Sequence, residues 1–177
     1  MRIAAAIWVQ IENTLAQRVP AALTLKVKQA PEVFSTGMAE VDAMLGGGIP
    51  RGSITEVSGP VSTGKTSLAL SMLANVTQLG NARAWVDVND ALSPESAAAA
   101  GVELRRLLWL RMSAENKHKL NDKPWPGLEQ ALKATDLLLQ TGGFAAIVLD
   151  MSDVLPQYAM RIPLATWYRF RLAAEHA

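Results

Sequence analysis

The stretch Gly59-Pro60-Val61-Ser62-Thr63-Gly64-Lys65-Thr66-Ser67 decides how this chain is expected to fold. Residues 52–58 before it alternate apolar and polar side chains, which predicts a strand. After it, apolar residues recur at helical spacing from Leu68 to Val76, and Gly80 predicts the end of that helix. A strand, a glycine loop and a helix in this order favour phosphate binding, whereas the alternative is a chance glycine turn at a helix start.

The glycines of this segment, residues 59–67, are expected to let the backbone curl; we call the segment the phosphate loop. Successive N–H groups would then face phosphate oxygens at the positive end of the helix dipole. The side chain of Lys65 is expected to reach the β- and γ-phosphates, and the hydroxyl of Thr66 to hold Mg²⁺. The loop therefore predicts a site for a magnesium-bound nucleotide.

Composition limits the functional classes that this chain can belong to. Its 177 residues suit a domain of ordinary size, and a formal net charge of +1 excludes a strong overall attraction for nucleic acid. The absence of cysteine excludes disulfides and thiolate zinc sites, and it suits a reducing compartment. No apolar run approaches the length of a membrane span. We therefore expect a soluble, cytoplasmic protein with no membrane partner.

Predicted strands and helices alternate along the rest of the chain. Strands are predicted at 82–88, 107–111 and 145–150, helices at 38–45, after Ser93-Pro94, at 128–140 and at 164–175, and a polar loop at 113–127. This order predicts an α/β fold with a mostly parallel sheet flanked by helices on both faces.

The N-terminal residues 1–32 are expected to form a separate helix and linker ahead of a nucleotide-binding domain at 33–177. Apolar residues four apart, Ile3, Ile7, Ile11 and Leu15, predict a helix at 3–18 with one apolar stripe. That stripe is expected either to pack against its own domain or to dock on a neighbouring molecule.

Asp150 ends an apolar predicted strand, a costly place for an uncompensated charge. Because ligands gather at the carboxyl ends of parallel strands, Asp150 is expected to orient the magnesium held by Thr66. The alternative is an aspartate that caps the following turn.

Several motifs in a fixed order resemble the core of the RecA recombinases. They are Ser35-Thr36-Gly37, Val41-Asp42, Gly46-Gly47-Gly48-Ile49-Pro50-Arg51-Gly52, the phosphate loop, Asp87, Ala91-Leu92, Pro94 and Ile147-Val148-Leu149-Asp150. Within that superfamily, residues 47–52 and 171–175 are similar to ImuA-type accessories of translesion synthesis. The resemblance implies a RecA-like core that binds ATP and Mg²⁺.

Two departures from that family bear on catalysis. The resemblance places a water-activating glutamate at Asn89 and an adenine-stacking tyrosine at Ser96. An amide orients water but cannot take its proton, and losing a positioned base costs roughly 10²–10⁴-fold in rate. The candidate replacements for the glutamate are the carboxylates of Asp90 and Asp87, although neither aligns with it. We therefore expect ATP binding with weak or absent hydrolysis.

The family core continues past its last helix into a further strand that couples nucleotide to DNA. This sequence stops at Ala177, within or just after the predicted last helix. We expect either a naturally shortened core or a sequence that lacks its tail, and both remove the coupling strand.

Arg161, Arg169 and Arg171 are the candidate DNA contacts, because the resemblance places a DNA-binding loop after Asp150. The segment Trp167-Tyr168-Arg169-Phe170-Arg171 interleaves cations with aromatic rings, which suits phosphate contact and base stacking. The alternative is an amphipathic helix that buries the rings and leaves the cations in solvent.

The function expected from these observations is that of an ATP-binding accessory in DNA repair, recombination or damage-induced mutagenesis. Single-stranded DNA, a second copy of the chain, or a repair polymerase bound through the N-terminal helix are the expected partners. An active DNA-dependent ATPase and a scaffold with a vestigial nucleotide site are the two alternatives.

Overall fold

The computed structural model describes residues 32–78, 81–112 and 126–176, together with positions 7, 10, 11, 13 and 14. The chain divides into two compact units, Met1–Pro31 and Glu32–Ala177. The few described positions of the first unit are helical, and the rest of the helix predicted at 3–18 lies outside the described residues.

The second unit alternates strands and helices. Its strands are β1 (Val33–Phe34), β2 (Ile49–Pro50), β3 (Ala82–Asp87), β4 (Leu107–Arg111) and β5 (Phe144–Asp150). Its helices are α1 (Ala39–Met44), α2 (Lys65–Gln78), α3 (Pro94–Ala99), α4 (Pro126–Thr141), α5 (Pro156–Ala159) and α6 (Leu164–Ala174), and a 3₁₀ turn lies at Leu104–Arg106.

The main sheet has three parallel strands in the order β4-β3-β5, so β3 lies in the centre. Alternate side chains of β3 point to opposite faces. Ala84 and Val86 pack with Leu128 and other residues of α4, whereas Trp85 packs with Leu73 and its neighbours on α2 and α3. The predicted parallel sheet flanked by helices is confirmed.

The predicted helices and strands mostly agree with the observed elements. The strands at 82–88, 107–111 and 145–150 and the last helix are present within one residue, and the helix after the phosphate loop begins three residues earlier than Leu68. Ser93 caps α3 by accepting a hydrogen bond from Ser96 N at 3.1 Å. Helix α4 begins at Pro126, inside the segment predicted as a loop, because proline is tolerated in the first helical turn. The rest of that loop, 113–125, lies outside the described residues.

The prediction of a strand at 52–58 is wrong, since residues 54–59 form no regular secondary structure. A strand needs a neighbour that accepts its backbone hydrogen bonds. β5 pairs with β3 along one edge, and no described residue pairs with its other edge. Ile54 and Val57 of the unpaired segment therefore remain 45% and 44% exposed.

A short antiparallel hairpin of β1 and β2 precedes the phosphate loop and was not predicted. The carboxylate of Asp42 joins α1 to β1, because it accepts hydrogen bonds from the Ser35 hydroxyl at 2.5 Å and from Thr36 N at 2.7 Å. These bonds hold the pKa of Asp42 below its ordinary value, and the bond from Ser35 has the largest effect. The motif at residues 35–42 thus has a structural role.

None of the described helices combines the length and the apolar character that a membrane crossing requires.

Candidate functional site

The phosphate loop leads directly into α2, which begins at Lys65. α2 packs on the central strand of the sheet and connects to the start of β3, so it runs against the strand direction. Its N-terminus therefore lies at the carboxyl edge of the sheet, where ligands of open α/β sheets bind. Ser62 and Gly64 adopt left-handed φ angles of 64° and 83°, the alternation that turns backbone N–H groups toward an anion.

The ammonium group of Lys65 donates hydrogen bonds to two carbonyl oxygens of its own loop. Nζ lies 2.7 Å from Gly59 O and 2.6 Å from Pro60 O. The Thr63 hydroxyl donates to Pro60 O at 2.9 Å. The cation is therefore held over the loop, and a phosphate oxygen there would take the place of these carbonyls.

A cavity of about 450 Å³ adjoins the phosphate loop. Its polar lining comes from Ser58 and from the loop, including Lys65, and its apolar lining includes Met38, Val41 and Val57. This volume is within the roughly 300–1,000 Å³ of small-molecule sites, which combine apolar walls with a few polar groups. The exposed Thr66 hydroxyl belongs to the same loop.

Asp150 lies half-buried at the end of β5. Its Oδ1 accepts hydrogen bonds from Ser152 N at 3.0 Å and from the Ser152 hydroxyl at 2.6 Å, which is the turn-capping arrangement. Among the described residues no three His, Cys, Asp or Glu side chains are grouped to hold a metal. Magnesium here would therefore depend on Thr66, Asp150 and phosphate oxygens, a hard oxygen set that suits that ion.

Asp87, at the end of β3, is almost completely buried and has a structural role. Its two carboxylate oxygens accept hydrogen bonds from Ala91 N at 3.0 Å, Leu92 N at 2.9 Å and Trp109 Nε1 at 3.2 Å. These bonds compensate the charge that burial would otherwise penalise. They also fix the path of the chain after β3.

Asp90, the other carboxylate considered as a base, forms a two-pronged ion pair with Arg111. Nε and Nη2 of Arg111 each lie 2.6 Å from one oxygen of Asp90. The hydrogen bond with Arg111 holds the pKa of Asp90 below its ordinary value, and the same bond raises the pKa of Arg111. Sequence reasoning missed Arg111, because only the parallel register of β3 and β4 places it beside Asp87 and within reach of Asp90.

Asn89 lies half-buried between these two aspartates, and Ser96 is exposed on α3. Neither residue supplies the group that the resemblance expects there, because an amide and a hydroxyl replace a carboxylate and a phenol ring. The loop after β3 thus presents an amide at its centre and two carboxylates already engaged by other groups.

The three candidate DNA contacts differ in their surroundings. Arg169 donates to Asp136 at 2.9 Å, and Arg171 lies 3.6 Å from Glu175. Arg161 and Arg171 also lie over the rings of Tyr158 and Tyr168, at 5.9 and 5.2 Å from the ring centres. Phe170 is buried while Arg169 and Arg171 are about half exposed, the burial pattern of the amphipathic-helix alternative.

The sheet and the loop define the class of α/β proteins in which a glycine loop opens a helix at the carboxyl edge of a parallel sheet. Residues 2–160 match the family model described as the RecA N-terminal domain, and the chain belongs to that family. The RecA protein of Saccharopolyspora erythraea is 43% identical over 120 residues, which are 67% of this chain and 31% of that protein. The RecA protein of Streptomyces venezuelae is 36% identical over 142 residues, 80% of this chain and 34% of that protein.

A solved structure shares the fold. The crystal structure of the RadB recombinase superposes with a TM-score of 0.57 at 23% identity, covering 81% of this chain and 66% of that one. The chain spans about a third of the length of these curated RecA proteins. The comparisons thus give its family and its fold.

Proposed function

We propose that this protein binds ATP with Mg²⁺ at the phosphate loop, hydrolyses it slowly or not at all, and acts as an accessory in DNA repair, recombination or damage-induced mutagenesis. Residues 59–67 hold the phosphates, and Thr66 and Asp150 hold the magnesium. Bound Mg²⁺ would neutralise part of the negative charge of the phosphates.

The observation that carries this proposal is a complete phosphate loop in the same molecule as an amide at the base position. The loop offers left-handed turns and the Lys65 ammonium at a helix N-terminus. Asn89 orients a water molecule but takes no proton from it, and Asp87 and Asp90 already bond to other groups. The site therefore has the groups that bind ATP, but the loop after β3 offers no free base for its hydrolysis.

Membership of the RecA family supports single-stranded DNA and a second copy of the chain as partners. The two arginine–tyrosine pairs, Tyr158 with Arg161 and Tyr168 with Arg171, offer a cation beside an exposed or half-exposed ring, the combination that binds single strands. The resemblance of residues 47–52 and 171–175 to ImuA-type proteins supports a repair polymerase as a further partner. The absence of cysteine supports a reducing cytoplasm as the compartment.

Binding of a fluorescent ATP analogue to the full chain and to Lys65→Ala tests the nucleotide site. Loss of the lysine removes the cation that phosphate oxygens would meet, so we expect affinity to fall by about tenfold or more, as for a charge-assisted contact of ~1.5–3 kcal/mol. Lys133→Ala, an exposed lysine on α4, is the charge-matched control and should bind as the parent does.

Single-turnover hydrolysis, measured with and without single-stranded DNA, separates the proposal from its two alternatives. Slow turnover that DNA leaves unchanged supports it. Rapid hydrolysis that DNA stimulates and Lys65→Ala abolishes would identify an active DNA-dependent ATPase. An absence of ATP binding at millimolar concentration would identify a scaffold.

A further inference from the structure

The carboxyl ends of β3 and β4 are joined by side chains that the phosphate loop does not use. Asp90 has a φ of 59°, in the left-handed region that residues other than glycine adopt at a cost. Both of its carboxylate oxygens bond to Arg111. We call this pair the Asp90–Arg111 clamp.

The clamp is supported on its other side by an aromatic ring. The guanidinium of Arg111 lies 4.7 Å from the ring centre of Trp109, and Trp109 Nε1 donates to Asp87. Asp87 in turn bonds to the backbone N–H groups of Ala91 and Leu92. Asp87 thus ties together the two ends of the loop at residues 88–91, which carries Asn89, and the clamp holds Asp90 within that loop.

Surface ion pairs usually contribute little, and both members of this one are partly exposed, at 58% and 40%. Two features make it an exception. The bond is bidentate, which fixes the carboxylate plane as well as its position, and the guanidinium is stacked on an indole. Such a pair restricts where the carboxylate of Asp90 can go.

We propose that Arg111 is a positioning residue that holds the loop at 88–91 in one conformation and keeps the carboxylate of Asp90 away from the nucleotide. The proposal rests on the proposed function, because it concerns the same site. Slow or absent hydrolysis then has two causes: an amide at position 89, and a neighbouring carboxylate that Arg111 withholds.

Release of Asp90 supplies the base that the site otherwise lacks. In hydrolysis the water oxygen forms a bond to the γ-phosphorus, and the bond from the γ-phosphorus to the bridging oxygen breaks, leaving ADP and phosphate. The water's proton passes to the carboxylate of Asp90 and from there to solvent. Arg111 bonded to that carboxylate prevents this transfer.

Arg111→Gln tests the proposal, because glutamine keeps a polar side chain but loses the charge and the two-pronged bond. We expect single-turnover hydrolysis of ATP to rise about tenfold or more over the parent, with the affinity for ATP unchanged. Arg111→Gln combined with Asp90→Asn should return to the parent rate. Arg51→Gln is the matched control, since Arg51 also pairs with a carboxylate, Glu32, and lies over a ring, Phe34.

Backbone hydrogen exchange of residues 88–92 gives a second measurement that needs no nucleotide. Exchange there should become faster in Arg111→Gln and stay unchanged in Arg51→Gln. Unchanged exchange overturns the proposal. So does an Arg111→Gln protein that binds ATP but hydrolyses it at the parent rate, or a double variant as fast as the single one. A parent protein that binds no ATP contradicts the proposed function instead, while the exchange measurement still decides whether Arg111 holds the loop.

Discussion

Arg83 is a charged residue outside the candidate site that is completely buried. Its side chain is 0% exposed in the central strand, and its three guanidinium nitrogens have no hydrogen-bond partner among the described residues. Burial lowers its pKa, and the nearby charge of Arg106 acts in the same direction. The carboxylate of Glu103 acts in the opposite direction but only in part, so the charge remains a net cost to folding.

Arg83→Met should stabilise the protein. Methionine keeps an unbranched stem on the sheet face that Trp85 also occupies, and it removes the charge, so we expect the free energy of unfolding to rise by about 1 kcal/mol or more. Urea unfolding followed by circular dichroism measures the change. Arg105→Met, at an exposed position in the 3₁₀ turn before β4, should leave stability nearly unchanged. A destabilised Arg83→Met protein would show that the guanidinium has an acceptor in solution.

At the residue scale, sequence predicts best the groups whose chemistry is contained in a short segment. The phosphate loop was recognised because its glycines, Lys65 and Thr66 are contiguous. The partner of Asp90 was not, because Arg111 lies 21 residues away and reaches it only through the parallel register of β3 and β4. Exposed arginines carry no sequence signal that distinguishes a clamp from a solvated charge.

At the scale of elements, predictions succeed where the signal is local in sequence and fail where the element depends on a partner strand. Helix α2 and strand β4 were predicted because their periodicity and end signals are local. The segment 52–58 has the alternation of a strand, but alternation indicates which side chains share a face and not which strand lies alongside. The hairpin of β1 and β2 was missed because two-residue strands are too short for any periodicity.

Gly48→Ala should disrupt that hairpin. A Cβ at Gly48, which directly precedes β2, would clash with the backbone carbonyl of Phe34 in β1. Gly46→Ala is the matched control, because that position also has a positive φ, 73°, yet an added Cβ meets nothing within 4 Å. Both variants are strained, but only Gly48→Ala adds the clash, which we expect to cost about 1–3 kcal/mol more in urea unfolding. Equal losses would show that the hairpin shifts to accommodate the methyl group.

At the scale of the whole molecule, charge and fold place the chemistry in one region. The formal net charge is +1, so the chain as a whole attracts an anion weakly. Under the proposed function, attraction for phosphate comes from the helix N-terminus and Lys65, and attraction for DNA comes from local arginines that partly pair with acids. The parallel sheet brings the loops after β3 and β5 to the same edge as the phosphate loop.

Under the proposed function, Asn89→Glu should convert slow or absent ATP hydrolysis into measurable turnover. A carboxylate at position 89 accepts the proton of a water that the amide only orients, so we expect single-turnover hydrolysis to rise by about 10²-fold or more. Asn89→Gln is the control, because it has the size of glutamate and the chemistry of the parent amide. Adding Lys65→Ala to Asn89→Glu should abolish the gain, which ties it to the phosphate loop. If Asn89→Glu binds ATP and stays as slow as Asn89→Gln, the limit on turnover lies outside the loop after β3, and the missing base is not its cause.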